Sequence, residues 1–304
     1  MEEGAARLRK SVLEMGGSDP AIVCEDADID IAASGIVWGA FSNCGQNCNG
    51  IERVYVHESV ADALISRVVE KVQKLRPGEG MEASTDIGPL ATEAQFKKIG
   101  RIVKQLRSQG GQVLTGGGPL EHRKGYFFEP TVVQLSSEAN SFIDEEIFGP
   151  LVMITPVRDD DEAVALANRT QFGLASSVWT ANRHHGYRIA RRIEAGTVMI
   201  NDCIVSFGMQ EAGWTGVKKS GVGWVHGEKG LDEMVNIKFI NYDPQMHMQK
   251  FWWFPYSGNV QQGMKAGLEF LYDKSLIRRL TAVPETLRHF WKYLLKNSRR
   301  REKL

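Results

Sequence analysis

Cys48 is the residue whose type and setting most directly suggest covalent chemistry. It ends the run Phe41–Cys48, FSNCGQNC, in a loop where Gly45 lets backbone N–H groups approach a ligand closely. An ionised thiol attacks carbonyl carbon readily, and N–H groups nearby can hold the oxyanion that forms. The alternative is a small buried apolar side chain, as most free cysteines are. The cysteine alone does not decide between them.

Glu14 supplies a carboxylate upstream of this thiol. It stands between Leu13 and Met15 and directly precedes Gly16 and Gly17. An apolar setting would bury the carboxylate and make it a base that takes a proton from water. The alternative is a charge at a helix end or strand edge that is turned to solvent.

Six segments of the chain, in this order, resemble the signatures of the aldehyde dehydrogenase superfamily. They are Leu13–Gly17, Phe41–Cys48, Gln95–Lys98, Gly125–Thr131, Glu145–Pro150 and Gly216–Gly223. Glu14 and Cys48 stand 34 residues apart, a separation typical of that family. The resemblance covers roughly residues 5–243, and an ordered set of this kind is highly specific.

The resemblance implies NAD(P)-dependent oxidation of an aldehyde to a carboxylic acid. The Cys48 thiolate would attack the aldehyde to give a thiohemiacetal, whose oxyanion is held partly by the Cys48 backbone N–H. Hydride transfer to NAD or NADP would leave a thioester. Glu14 would then activate the water that hydrolyses this thioester.

The resemblance also assigns cofactor contacts. Glu146 would hold the nicotinamide ribose hydroxyls, and Phe148 would pack beside the nicotinamide. Gln95 and Lys98 are further candidates for ribose contacts. No metal is expected, because the seven histidines lack ligand spacing relative to any cysteine.

Helical and strand patterns alternate around these residues. Asp28–Phe41 has helical spacing, Arg53–Val56 predicts a strand, and Ser59–Lys74 predicts an amphipathic helix capped by Ser59. Strands separated by helices of this length indicate a mainly parallel sheet. In such sheets ligands gather at the carboxyl ends of the strands, where we expect the site.

The predicted fold class is α/β, a parallel-sheet catalytic domain like that of aldehyde dehydrogenases, with most of the dinucleotide-binding domain absent. Residues 1–16 would be a remnant of that cofactor-binding domain and 17–230 the catalytic domain. Residues 231–243 resemble an oligomerisation strand, which implies a homo-oligomer, and 244–304 form a basic amphipathic extension.

The absent half limits what the chain alone is expected to do. The match begins just before the Glu14 signature, and Thr115–Pro119 predicts a loop instead of a dinucleotide fingerprint. We expect weak cofactor binding and little turnover from these residues alone, with the activity belonging to a longer protein. The alternative is a catalytically incompetent fragment or scaffolding domain.

The bulk composition indicates a soluble globular protein, with 42% hydrophobic and 24% charged residues. Four cysteines are too few for a disulfide scaffold in a chain of 304 residues. The N-terminus has no apolar core of a signal peptide, and no run approaches the roughly 18 apolar residues of a membrane span. These features predict a cytoplasmic location, to which the C-terminal segment adds an expectation of peripheral membrane binding.

Residues 246–304 differ in character from the rest of the chain. The last 60 residues carry 12 Lys and Arg against four Asp and Glu. Apolar residues recur at helical spacing at Leu287, Phe290, Trp291 and Leu294. A basic amphipathic helix with aromatic residues is typical of binding to an anionic membrane surface. The alternative is docking on the catalytic domain or on a neighbouring subunit. Nucleic acid is not expected, because basic residues alternate with large apolar ones.

Overall fold

The computed structural model describes residues 1–121, 123–136, 145–244, 250, 253, 254 and 256–301, and of residues 290 and 293–301 the backbone alone. The chain divides into two compact units, Met1–Ile237 and Lys238–Leu304. Among the described helices, none combines the length and the apolar composition that crossing a bilayer would need.

A seven-stranded sheet forms the centre of the first unit. The strands of this unit are β1 (Leu13–Glu14), β2 (Asp19–Val23), β3 (Ile51–His57), β4 (Gln112–Thr115), β5 (Thr131–Gln134), β6 (Leu151–Val157), β7 (Ala175–Trp179), β8 (Thr197–Ile200) and β9 (Gly221–Val222). The sheet order is β4-β5-β6-β3-β2-β7-β8, and each neighbouring pair is parallel except β4 and β5. The predicted mainly parallel α/β sheet is confirmed. Strands β1 and β9 form a separate antiparallel pair.

Helices cover both faces of this sheet. Those described in the first unit are α1 (Glu2–Ala6), α2 (Ile29–Phe41), α3 (Glu58–Gln73), α4 (Glu93–Ser108), α5 (Asp160–Asn168), α6 (Arg183–Ala190) and α7 (Gly227–Glu233). Successive strand residues point to opposite faces. Accordingly Ala21 and Val54 join the core under α2, α3 and α4, whereas Ile22 and Tyr55 join the core under α5 and α6.

Two predicted elements differ from the structure. Helix α3 begins at Glu58 and not after Ser59, because the His57 ring Nδ1 accepts the Ser59 N–H at 3.3 Å and acts as the cap. Residues 231–243 were predicted as a strand, but 231–233 belong to α7 and 234–243 lie outside every described helix and strand and are exposed. An extended segment needs a partner strand, and no strand in the described part of this chain pairs with it.

The candidate site lies at the amino ends of the strands, so the expectation of the carboxyl ends is wrong. Cys48 precedes β3, and Glu146 and Phe148 precede β6. At the carboxyl ends of β3 and β6 the chain passes at once into helices: β3 ends at His57, where α3 begins at the next residue, and two residues separate β6 from α5. Connections this short leave no loop long enough to build a site, whereas the loops entering the strands are longer.

Candidate active site

A tight turn carries Cys48 from α2 to β3. Asn43, Cys44 and Gly45 all have positive φ, at 51°, 59° and 70°. A Cβ on Gly45 would lie 2.1 Å from the carbonyl oxygen of Gly149, so only glycine allows this contact. The turn therefore lies directly against the loop that enters β6.

Gly16 and Gly17 bring a third segment to the same place. The Gly17 N–H donates to Glu146 Oε1 at 3.1 Å. A Cβ on Gly16 would lie 2.6 Å from a Glu146 carboxylate oxygen, and one on Gly17 would lie 2.5 Å from the Cys48 carbonyl oxygen. The segments of Glu14, Cys48 and Glu146 thus meet because two side chains are missing between them.

The Cys48 side chain is half-buried and packs against an apolar cluster of Leu174, Ala175 and Trp214. The Phe207 ring lies edge-on to Trp214, with centroids 5.6 Å apart. One side of the thiol is therefore walled by apolar and aromatic groups, which suits a substrate with an apolar portion.

Burial raises the pKa of the Cys48 thiol, and the charges of Asp19 and Glu14 raise it further. The backbone N–H groups of Asn49 and Cys48 face the sulfur and lower it. These N–H groups are where an oxyanion on a carbon bonded to the sulfur would need its donors. The thiol is protonated at neutral pH and needs a base to become a nucleophile.

Glu14 is held near the thiol by the C-terminal glycine signature. In the β1–β9 pair Glu14 lies opposite Gly221, and the Met15 N–H donates to the Ser220 carbonyl at 3.0 Å. A Cβ on Gly221 would lie 2.4 Å from the Leu13 carbonyl oxygen, so glycine permits the pairing. The Glu14 side chain is exposed, which agrees with the alternative of a charge at a strand edge and not with a buried carboxylate. Its neighbours in sequence are apolar, but a two-stranded ribbon leaves one face open to solvent.

The loop carrying Phe148 is held from behind by Glu52. One carboxyl oxygen, Glu52 Oε1, accepts the N–H groups of Ile147 at 2.7 Å and of Phe148 at 2.9 Å. Phe148 has φ 55°, a backbone conformation that costs a non-glycine residue of the order of 1–3 kcal/mol. The two hydrogen bonds offset that cost and hold the backbone of the loop at Phe148.

Gln95 and Lys98 on α4 contact the same loop from the other side. Gln95 Nε2 donates to the carbonyls of Ile147 at 2.6 Å and Phe148 at 2.7 Å, and Lys98 Nζ donates to the Glu146 carbonyl at 2.5 Å. In this structure both side chains therefore position the loop. Their contact with a ribose stays a prediction.

Sequence reasoning missed the buried acids beneath the thiol. Asp19 is almost fully buried; its Oδ1 accepts the Ala175 N–H at 3.1 Å, and burial raises its pKa well above the usual range. Burial likewise raises the pKa of Glu52 to about 8. The Ser18 hydroxyl is near enough to lower that value, yet neither Ser18 Oγ nor Glu52 Oε2 has a well-formed hydrogen bond among the described residues. In the sequence, the feature that could have identified Glu52 was an acidic residue within the strand pattern Ile51–Val56.

Glu146 shares this environment. Burial raises the pKa of its carboxyl, while the Gly17 N–H and the charge of Lys98 lower it. Arg53 is a buried cation beside these acids, but its guanidinium is used on the Ser18 carbonyl, at 2.9 and 2.6 Å, and on the end of α5. The negative charge that these acids carry when ionised is thus only partly compensated by nearby cations.

A second group of ligand-type residues occurs at the carboxyl end of β2. Cys24, Asp26 and His185 have donor atoms within 4.8 Å of one another, although 161 residues separate the cysteine from the histidine. Sequence spacing could not show this proximity. His185 Nε2 pairs with Asp160 Oδ2 at 2.5 Å, and Asp26 Oδ1 accepts the Thr180 hydroxyl at 2.7 Å. These bonds tie α5 and α6 to the sheet.

Replacing Glu52 by Gln should flatten the pH dependence of stability. The folded pKa of about 8 exceeds the ordinary 4.5, so the stabilisation is complete below about pH 4.5 and is lost as pH rises to about 8. In that window Glu52 contributes a slope of up to about 1.4 kcal/mol per pH unit. Urea unfolding from pH 5 to pH 8 measures it. Glu52→Gln keeps an oxygen for the two N–H groups and should lose less stability over this range than the unsubstituted chain. Parallel curves would contradict the assignment, and the exposed Glu25→Gln is the control.

Iodoacetamide should label Cys48 selectively in the native chain. Cys24, Cys44 and Cys203 are buried, and burial raises the pKa of each thiol to about 12. Since the charge of Glu14 raises the pKa of Cys48, Glu14→Gln should shift the midpoint of the labelling rate to lower pH, with Glu25→Gln unchanged. Peptide mapping by mass spectrometry measures both. Equal labelling of all four cysteines, or an unmoved midpoint, would contradict this geometry.

Comparison with known proteins agrees with the signatures. The model of the aldehyde dehydrogenase family matches residues 1–240. The chloroplastic betaine aldehyde dehydrogenase of Beta vulgaris is 37% identical over 244 residues, covering 79% of this chain and 48% of that protein. The mitochondrial succinate-semialdehyde dehydrogenase of Oryza sativa subsp. japonica is 36% identical over 241 residues, covering 79% of this chain and 45% of that protein.

A solved structure shares the fold. The crystal structure of a betaine aldehyde dehydrogenase variant from Staphylococcus aureus, in complex with NAD+, superposes with a TM-score of 0.72 at 32% identity. The match covers 77% of this chain and 48% of that one. The chain thus spans about half the length of the relatives it matches. By sequence and by fold, this chain belongs to the aldehyde dehydrogenase family.

Proposed function

We propose that this chain is the catalytic part of an enzyme that oxidises an aldehyde to a carboxylic acid with NAD(P)+. The observation that carries the proposal is the meeting of the Cys48, Glu14 and Glu146 segments at one edge of the sheet in a member of this family. The signatures could have been scattered in space, and they are not.

Cys48 forms the covalent bond in this proposal. A base takes the thiol proton, and the sulfur attacks the aldehyde carbon, so that a C–S bond forms and the carbonyl oxygen becomes an oxyanion. The N–H groups of Cys48 and Asn49 face the sulfur and are placed to donate to that oxygen. The apolar cluster around Trp214 excludes water from one side of the adduct.

The residues around Phe148 fit a nicotinamide cofactor. Glu146 offers a half-buried carboxylate whose Oε1 is already bound by Gly17, which leaves its other oxygen to accept ribose hydroxyls. The Glu52 carboxyl holds Phe148 in a strained backbone conformation. When bound, NAD(P)+ supplies the acceptor for the hydride that leaves the thiohemiacetal carbon.

Glu14 serves the second half of the reaction. The hydride loss leaves a thioester on Cys48, and its hydrolysis needs a water that gives up a proton. Glu14 is exposed beside the thiol, so it can reach such a water and accept the proton. The water oxygen bonds to the acyl carbon, the C–S bond breaks, and the acid leaves.

A second copy is the proposed partner of residues 235–242. Val235, Ile237 and Phe239 alternate along this segment and are more than half exposed. An exposed, unpaired apolar segment favours pairing with another chain. The resemblance to the family's oligomerisation strand supports a homo-oligomer.

Cys48→Ala tests the proposed function. Turnover of an aldehyde with NAD+ should fall by more than about a thousandfold, because the covalent step is lost. Cys44→Ala, four residues earlier, should stay within about threefold, since Cys44 is a buried packing residue. The longest natural form that carries this chain should be assayed for turnover and NAD+ binding. Turnover that survives Cys48→Ala would refute the nucleophile. Absence of both turnover and NAD+ binding in that form would favour a scaffolding domain instead.

A further inference from the structure

The second unit is built around a helical hairpin. Its helices are α8 (Gly258–Tyr272) and α9 (Leu276–Arg301), joined by three residues. Gly263 lies against His289 and Gly267 against Thr286, so the two helices run antiparallel. Small residues on α8 allow this close packing. The packed faces of both helices are thereby defined.

Each helix carries an exposed apolar stripe away from its packed face. The stripe residues are Met264, Leu268 and Leu271 on α8, and Leu276, Leu280, Leu287 and Trp291 on α9. Apart from Met264, at 43%, each is more than half exposed. Phe290 and Leu294, which the sequence placed on this helix face, have side chains outside the described residues.

The two stripes lie on the same face of the hairpin. At about 100° per residue, each stripe falls within an arc of about 60° on its helix. Viewed along each helix from its N-terminus, the centre of the stripe is rotated away from the packed residues by about 90° on α8 and by about 140° on α9. The rotation has the same sense on both helices. Because the helices are antiparallel, equal senses of rotation bring both stripes to one side. The result is a broad apolar face two helices wide.

The charged residues of the helices lie away from the centre of this face. The acids Glu269 and Glu285 line a polar groove between the helices on the opposite side, together with Lys265, Arg288 and Lys292. Lys265 and Arg288 lie about 90° from the stripes, where long side chains can also direct their charged ends around an apolar surface. The apolar face is therefore bordered by cations and free of described acids.

Aromatic residues precede the hairpin. Trp253, Phe254 and Tyr256 are each more than half exposed, and the Phe254 and Tyr256 rings have centroids 4.6 Å apart. Aromatic side chains with a polar edge favour the boundary between lipid headgroups and acyl chains.

We propose that the hairpin binds an anionic lipid membrane, lying flat with its apolar face in the headgroup boundary and its bordering cations on lipid phosphates. An anionic membrane surface favours a protein face of this kind: it is apolar and two helices wide, cations border it, and the acids lie on the opposite side. None of the described helices could span a bilayer, so the hairpin lies on the membrane. The proposal is independent of the catalytic assignment.

Vesicle binding of the full chain tests the proposal. Vesicles of phosphatidylcholine with about 30% phosphatidylserine should bind the chain, and phosphatidylcholine alone should bind it at least about tenfold more weakly. Leu280→Gln with Leu287→Gln should weaken binding to the anionic vesicles at least about tenfold. A matched control is Leu8→Gln with Leu231→Gln, because both leucines are highly exposed but lie in the first unit. The control should stay within about twofold of the unsubstituted chain.

Circular dichroism establishes that the stripe variant keeps its helices, as expected for exposed positions. Failure of the chain to bind anionic vesicles, or equal binding by the stripe variant and the unsubstituted chain, would overturn the proposal. A second copy of the chain bound to this face would give a different result. If the stripe substitutions leave vesicle binding unchanged but alter the mass measured by light scattering, the face is an interface with a second copy, which also overturns it.

Discussion

The thiol of Cys48, the candidate base and the carboxylate proposed to hold the ribose belong to three segments that meet only because Gly16 and Gly17 lack side chains. A methyl group at either position would collide with Glu146 or with the Cys48 backbone at about 2.5 Å. Gly45 and Gly221 meet the same requirement on the other sides of the site. The glycines of the signatures are therefore contact points between segments, and their removal would separate the reacting groups. The sheet brings the strand ends to one edge, and the glycines allow the three segments to approach each other closely.

The electrostatics of the site follow from what is buried there. Asp19, Glu52 and Glu146 are acids whose pKa values burial raises, and the buried cation Arg53 beside them is used on backbone carbonyls. Because these pKa values are raised, the acids are held toward their neutral forms, Glu52 with a pKa of about 8 most clearly. Burial raises the pKa of the Cys48 thiol in the same way. Burial thus limits the charge at the site, and the thiol needs a base before it can attack.

The parallel α/β sheet and the order of the signatures could be predicted from sequence, because strand and helix patterns and ordered motifs are local properties. The location of the site could not, since the rule for carboxyl ends does not consider loop length; β3 passes directly into α3. The sequence left the exposure of Glu14 undecided, because neighbours that are apolar in sequence do not have to surround a side chain in space. Glu52 and the loop-supporting role of Gln95 and Lys98 depend on contacts between residues 48 to 96 positions apart. A single sequence records no such contacts.

The central claim is that Cys48 carries the acyl group between the two half-reactions. The direct measurement is intact-protein and peptide mass spectrometry on Glu14→Gln in the longest natural form, quenched after mixing with an aldehyde and NAD+. Without the base, hydrolysis should be slower than acyl formation, and an acyl group should accumulate on the peptide that contains Cys48. An unmodified Cys48 peptide in a sample that has produced NADH, or an acyl group on another residue, would contradict the account.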